Sequence, residues 1–262
     1  MFNWPNADVI LRATHGAESR DFRVHIFLSF ASPVFKGMFE LPQPSPSASS
    51  IDIIDMADPP RALEVILRFI YPSADSLAIN DLTLLSEVLA LADKYDFKVA
   101  QARLRPSLVE FAKTEPLRVY AIACQLGLED EMKIASSHTT SIYLPDLTEL
   151  PNEFKSVPAT EYHRLILLHA RYRKELEAIA TSQDLMPHTI PKGGFFAGIG
   201  TAIEAAARRQ QVLDNIRGGV PLNCESLILA SSTGSGIHIE AGWTERLIRS
   251  IFDKANALNL TV

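Results

Sequence analysis

The chain is poor in the residues on which small extracellular folds and metal centres depend. Among its 262 residues there are two cysteines, Cys124 and Cys224, and neither sits in a CxxC pair. Two such thiols build neither a structural zinc site nor a disulfide framework. They fit a reducing compartment, where free cysteines act as small buried hydrophobes. Positive charge is not in excess either: 25 Lys and Arg face 31 Asp and Glu, for a net charge of −6. A dedicated nucleic-acid binder shows the opposite balance. No uninterrupted apolar run reaches the ~18 residues that would mark a membrane span. The nearest, Gly193 to Ala207, is interrupted by Thr201 and Glu204. The opening MFNWPNADVI lacks a basic stretch ahead of an apolar one, so no secretory leader is read there. These absences predict a cytoplasmic or nuclear protein that is not secreted, enters no membrane and does not bind nucleic acid directly.

Catalytic signatures are missing as well. There is no HExxH, GxSxG, P-loop or GxGxxG pattern. His163 and His169 stand six residues apart, so on one helix they face different sides and cannot chelate one metal. The glycine-rich run Gly193 to Gly200 follows no strand and carries no lysine suited to a phosphate, so it reads as linker and helix entry. Asp93 and Asp96 flank Lys94 at a helix end, where solvation is the simplest role. His25, between a strand and a helix, is read as satisfying backbone groups and not as a ligand. No catalytic residue, cofactor site or metal site is expected.

Hydrophobic residues make up 47% of the chain and charged residues 21%, enough for packed cores and against global disorder. The densest information lies between Ala7 and Pro44. Val9, Ile10 and Leu11 predict a strand, His15-Gly16-Ala17 a turn, and Phe22-Arg23-Val24 a second strand. Ser32-Pro33 places a capping hydroxyl before a proline at the first helical position. Val34, Phe35, Met38 and Phe39 then recur at helical spacing. The run from Pro42 to Ser50, with three prolines and four serines, predicts a surface loop and not an SH3-type ligand. Ile51 to Asp55 alternates as a strand. A helix from Pro59-Pro60 buries Leu63, Ile66, Leu67 and Ile70 and ends at Tyr71-Pro72. A second, capped by Asp81, buries Leu82, Leu85, Val88, Leu89 and Ala92 and ends at Tyr95. A third, from about Val99 to Ala112, presents Leu104, Leu108 and Phe111.

The rest reads as helical. Pro116 opens a helix closed at Gly127, Leu128 to Ser141 form another, and Ala159 to Ile179 a longer one. The last carries His163, Arg164, Arg171, Arg173 and Lys174. This basic cluster either meets an acidic partner or forms a solvated face balanced by Glu161, Glu175 and Glu177, and the solvated face is the simpler expectation. Ser182 to Gly194 reads as linker. An alanine-rich helix runs from Gly198 to Arg217, Ser231 to Gly236 is a loop, and a helix from Trp243 to Leu258 offers Ile248, Ile251 and Phe252 for docking on the body.

The order of elements in the first region resembles the BTB/POZ domain. The resemblance is carried by Ala7-Asp8-Val9-Ile10-Leu11, Phe22-Arg23-Val24-His25, Ala31 to Phe39, Phe69-Ile70-Tyr71-Pro72 and Leu91-Ala92-Asp93-Lys94-Tyr95. It implies an α+β fold, a small mixed sheet capped by helices, followed by an α-helical C-terminal extension. The expected organisation is a BTB/POZ domain over 7–112, a helical extension over 115–181, a linker over 182–197 and a helical C-terminal region over 198–262. Leu41-Pro42-Gln43-Pro44, Tyr71-Pro72 without glycine and Val119 to Cys124 are similar to BTB proteins of mushroom-forming fungi.

The resemblance implies protein–protein interaction: association with other BTB domains, substrate adaptation for a cullin-RING ubiquitin ligase, or assembly of transcriptional or chromatin cofactors. An enzyme in the C-terminal region is the remaining alternative and ranks behind these. Partner-binding residues implied are Phe35, Met38, Phe39, Leu41 and Gln43. The structural motif residues are Asp8, His25, Ser32, Tyr71 and Tyr95. Two departures narrow the inheritance. Seven residues precede Asp8, too few for the extra helix and swapped strand of many dimeric members. Leu41-Pro42-Gln43 also lacks the carboxylate of the hydrophobic-x-Glu motif of many cullin-recruiting members.

Overall fold

A β-hairpin begins the structure, a computed structural model describing residues 4, 6–41, 51–71, 79–182, 195–218, 227 and 243–257. Strands β1 (Val9–His15) and β2 (Glu18–Val24) pair antiparallel from Val9↔Val24 to His15↔Glu18. That register leaves Gly16 and Ala17 as a two-residue loop. Gly16 has φ +58°, the left-handed value such tight hairpins require at a turn position. Strand β3 (Asp52–Met56) joins β1 in parallel, giving the mixed order β2-β1-β3. Alternation sends Val9, Leu11, Ala13, Phe22, Val24 and Met56 to one buried face.

Five helices carry the chain between and beyond the strands. α1 (Leu28–Ala31) and α2 (Pro33–Glu40) lie between β2 and β3. α3 (Pro60–Ile70) packs on β1 and β2 through its apolar side, which buries Leu63, Ile66 and Leu67. α4 (Leu82–Lys94) packs on α3, with Asp81 accepting from Thr83 N at 3.0 Å as its cap. α5 (Lys98–Phe111) follows, burying Ala100, Leu104 and Leu108. Each fully buried Leu, Ile or Phe in this core contributes ~1.5–3 kcal/mol. This is the small mixed sheet with helices expected of the first region. The link from α4 to α5 is tight. Phe97 N donates to Ala92 O at 2.8 Å and Asp96 N to Asp93 O at 3.0 Å, closing a Schellman turn with Asp96 at φ 54°.

The chain divides into two compact units at Thr114/Glu115. In the second unit, α6 (Pro116–Gln125) and α7 (Glu129–Thr139) pack as a helical hairpin. Gly127, φ +63°, terminates α6 by the same 6→1 bond, Leu128 N to Ala123 O at 2.9 Å. Two short 3₁₀ turns, Leu144–Asp146 and Asn152–Ser156, lead to α8 (Ala159–Thr181). Tyr120 is fully buried and its hydroxyl donates to Glu161 O at 2.8 Å, tying α6 to the start of α8.

The C-terminal half of α8 packs with α9 (Phe195–Arg217) and α10 (Trp243–Asn256). Tyr172, Leu176, Val212, Ile216, Ile248 and Ile251 share their core, with Phe252 beside them. Arg209 caps the end of α8, donating to the carbonyls of Ala180 and Ser182. α9 starts at Phe195, three residues before the helix read from sequence. Cys124 is half-buried and its thiol is pushed up to about 11, chiefly by burial, so it stays protonated. The Pro42–Ser50 loop, Pro72, residues 183–194 of the linker, Cys224 and the Ser231–Gly236 loop lie outside the described residues.

Candidate interaction surface

Two polar knots fix the segment between β2 and α2. In the first, Asp8 and Tyr71 hold the chain as it leaves β2. Ile26 N donates to Asp8 Oδ2 at 3.1 Å, and His25 N donates to the Tyr71 hydroxyl at 2.7 Å. The His25 ring stacks on Phe27 with centroids 5.5 Å apart, and Tyr71 stacks on Trp4 at 5.3 Å. Burial pushes the Tyr71 phenol above its usual range, so it remains a neutral hydroxyl. His25 thus contributes backbone and ring packing.

The second knot joins α2 to the end of α4. Ser32 Oγ accepts from Phe35 N at 3.0 Å and donates to the carbonyl of Tyr95. The Tyr95 hydroxyl donates to Asp58 Oδ2 at 2.5 Å, and Lys94 Nζ reaches Asp58 Oδ1 at 2.7 Å. Burial, then the Asp58 carboxylate, pushes the Tyr95 phenol up to about 12. Asp8, His25 and Tyr71 therefore meet in one knot, and Ser32 and Tyr95 in the other. Asp58 and Lys94 complete the second knot and escaped the sequence reading. The available signal was an acid at the end of β3 combined with Lys94-Tyr95 ending α4. Asp93 and Asp96 are also engaged: Asp93 accepts from Gln101 Nε2 at 3.0 Å, and Asp96 pairs with Lys98.

Between these anchors the chain turns its apolar side chains outward. α1 is one turn long and holds to the core through Leu28 alone. Ile26, Phe27, Phe30 and Val34 are left exposed within nine residues, Phe30 at 91% and Ile26 at 53%. An isolated surface leucine needs no explanation, but adjacent exposed aromatic and aliphatic side chains mark contact surfaces. The rigid backbone beneath keeps them from folding back, so the arrangement suits association.

The residues implied as partner-binding divide differently. Phe35 has no exposed surface; it packs against Tyr95 at 5.0 Å and Phe97 at 5.6 Å and belongs to the core. It cannot touch a partner in this fold, because the α2 face that carries it is the one turned to α4. Met38 and Phe39 are half-buried, and Leu41 is 64% exposed at the end of α2. Gln43 lies outside the described residues. The exposure of Ile26, Phe27 and Phe30 was missed because an apolar run before a helix reads as core when its partner strand is not yet located.

Among the described residues no group of three or more His, Cys, Asp or Glu is arranged to hold a metal ion. No helix among them is long and apolar enough to cross a membrane. No curated protein matches the chain significantly. The family model of the BTB/POZ domain matches residues 3–111, which contain the sheet, α1 to α5 and both knots. Residues 3–111 of this chain are therefore a BTB/POZ domain, a domain that mediates protein–protein association.

Proposed function

We propose that the chain is a non-enzymatic adaptor that works in the cytoplasm or nucleus and docks other proteins through the exposed segment Ile26–Val34. In this reading the BTB core, 7–112, provides the docking face. The helical regions 115–181 and 198–262, with 182–197 between them in sequence, offer surface for a second partner. The observation that carries the reading is Phe30, 91% exposed beside Ile26, Phe27 and Val34 on a backbone held from both sides. Covering one such phenylalanine contributes ~1.5–3 kcal/mol, or roughly tenfold to hundredfold in affinity. The specific use we favour is substrate adaptation for a cullin-RING ubiquitin ligase, supported by Leu41, an exposed apolar side chain where α2 ends. The alternative is assembly of transcriptional or chromatin cofactors through the same domain. A fungal origin of the mushroom-forming kind is part of the proposal, resting on the sequence likeness alone.

Co-purification with the tagged full chain tests this. Cullin and RING subunits recovered with the native protein and lost with Leu41→Asp support the adaptor. Chromatin proteins in their place support the cofactor. Phe30→Glu should release the proteins bound through α1 and α2 while leaving stability within ~0.5 kcal/mol of native, because the side chain is already in water. If every partner stays bound to the Phe30→Glu protein, the docking face is misassigned.

A further inference from the structure

The exposed face of α8 carries a positive stripe in which Arg171 and Lys174 are uncompensated. At about 100° per residue, His163, Arg164, Ala170, Arg171, Lys174 and Ala178 fall within about 60° of Leu167. Every residue on that ridge is exposed, and no carboxylate shares it. The balance expected from Glu161 and Glu177 is engaged elsewhere. Glu161 pairs with Arg164 at 3.0 Å, and Glu177 with Arg217 on α9 at 3.2 Å. Arg173 is also withdrawn, donating to the carbonyl of Ile216 and lying over the Tyr143 ring. Among the described residues His163, Arg171 and Lys174 have no ion-pair partner, and Glu175, four residues after Arg171, does not reach it. A face built only for solvation would intersperse opposite charges at i, i+4.

Apolar surface runs through this stripe. Leu167 is 48% exposed, and Ile166 beside it is exposed as well. Ala170 and Ala178 keep the ridge low, so another helix can approach to the 8–10 Å typical of packed pairs. From His163 to Ala178 the face runs ~22 Å, about four turns.

We propose that this face docks an acidic amphipathic helix of a partner protein, whose carboxylates pair with Arg171 and Lys174, with His163 as a further hydrogen-bonding group, and whose apolar side chains cover Leu167. The site is separate from the α1–α2 surface, and its fate does not depend on that of the docking segment there. Charge selects the occupant: two unpaired cations, Arg171 and Lys174, flank a narrow apolar strip. A membrane-surface helix presents a broad apolar face with aromatic anchors, and this strip has neither. A duplex nucleic acid would meet a chain of net charge −6 with two cationic contacts.

The test uses the full chain as bait for a displayed library of 20-residue helical peptides with one randomised face. Enriched peptides should carry Asp or Glu spaced by three or four residues around Leu or Ile. In fluorescence anisotropy they should lose at least tenfold in affinity against Arg171→Glu/Lys174→Glu and against Leu167→Asp. The Phe30→Glu protein should bind them as the native chain does. Circular dichroism and melting of the variants, all altered at exposed positions, exclude misfolding as the cause. Neutral or basic winners, peptides that bind the charge-reversed protein equally, or failure to enrich any acidic helix would overturn the proposal. So would binding of phosphatidylserine vesicles or duplex DNA that needs Arg171 and Lys174 and that no acidic peptide displaces.

Discussion

Removing the Asp58 carboxylate should unfasten the knot that holds α2 against the end of α4. Asp58 is buried and accepts two charge-assisted or phenolic bonds, from Tyr95 at 2.5 Å and Lys94 at 2.7 Å. In Asp58→Ala the Tyr95 hydroxyl is stranded in a buried site, which costs about 1–3 kcal/mol. The Lys94 ammonium is half-exposed and turns to water, so its share is at most about 1 kcal/mol. The expected loss is therefore about 1–4 kcal/mol. Tyr95→Phe removes the donor and leaves the carboxylate with Lys94 alone, a loss of about 1.5–3 kcal/mol for a bond to a charged group. The double variant counts their shared bond once, so its loss should fall short of the sum by at least about 1 kcal/mol. Urea unfolding of the full chain in a Trp243→Phe background leaves Trp4, stacked on Tyr71, as the single tryptophan reporter of the BTB domain. Additivity of the two substitutions to within about 0.5 kcal/mol, or a loss under about 1 kcal/mol for Asp58→Ala, would refute the coupling.

The two Schellman turns respond in opposite directions to the gain and the loss of a glycine. Asp96→Gly relieves a left-handed non-glycine residue and should stabilise the BTB domain by about 0.5–1 kcal/mol, while Gly127→Ala should destabilise the α6–α7 hairpin by about 1 kcal/mol, both read from urea midpoints. His169 gives the second unit an acid sensitivity. Burial, with Arg173 nearby, pushes its imidazole down to about 4, while its ring nitrogen meets Thr139 Oγ1 at 3.0 Å. The unfolded chain binds a proton below pH ~6.5 and the folded one does not until about 4, so stability falls as pH drops through that window. Between pH 7 and 4.5 the loss should reach about 2–3 kcal/mol beyond that of His169→Gln. Parallel curves for the two proteins would mean His169 is not buried as described.

How far the sequence disclosed this molecule follows from the range of each signal. Local chemistry was legible: Ser32-Pro33 at the start of α2, Asp81 at the start of α4 and Gly127 at the end of α6 occupy their caps. Each is decided within one helical turn. The periodicity that marked Leu63, Ile66 and Leu67 also found their buried face. Long-range pairings were not legible. That Ser32 would meet Tyr95 63 positions away, or that Asp58 would be claimed by Lys94 and Tyr95, depends on how β3 and α4 dock. Periodicity likewise ranked Phe35 with Met38 and Phe39 as one helical stripe. Only the packing of Tyr95 and Phe97 separates the buried member from the half-buried ones.

The same limit explains why sequence alone decides neither candidate surface. Exposure of Phe30 is a property of the scaffold under it. Asp8, Tyr71 and Ser32 are all committed to backbone groups, so the segment has no slack with which to turn its aromatic side chain inward. Leu28 already fills the position through which α1 reaches the core. On α8 the decisive fact is where the carboxylates go: Glu177 is drawn to Arg217 across to α9, and Arg171 and Lys174 on the exposed ridge are left uncompensated. A composition count scores those charges as balanced. Their geometry separates them, because the acids lie on the flanks and the bases on the crest. Were both proposed faces used, the apolar one in the BTB domain would select by shape and the cationic one in the helical unit by charge.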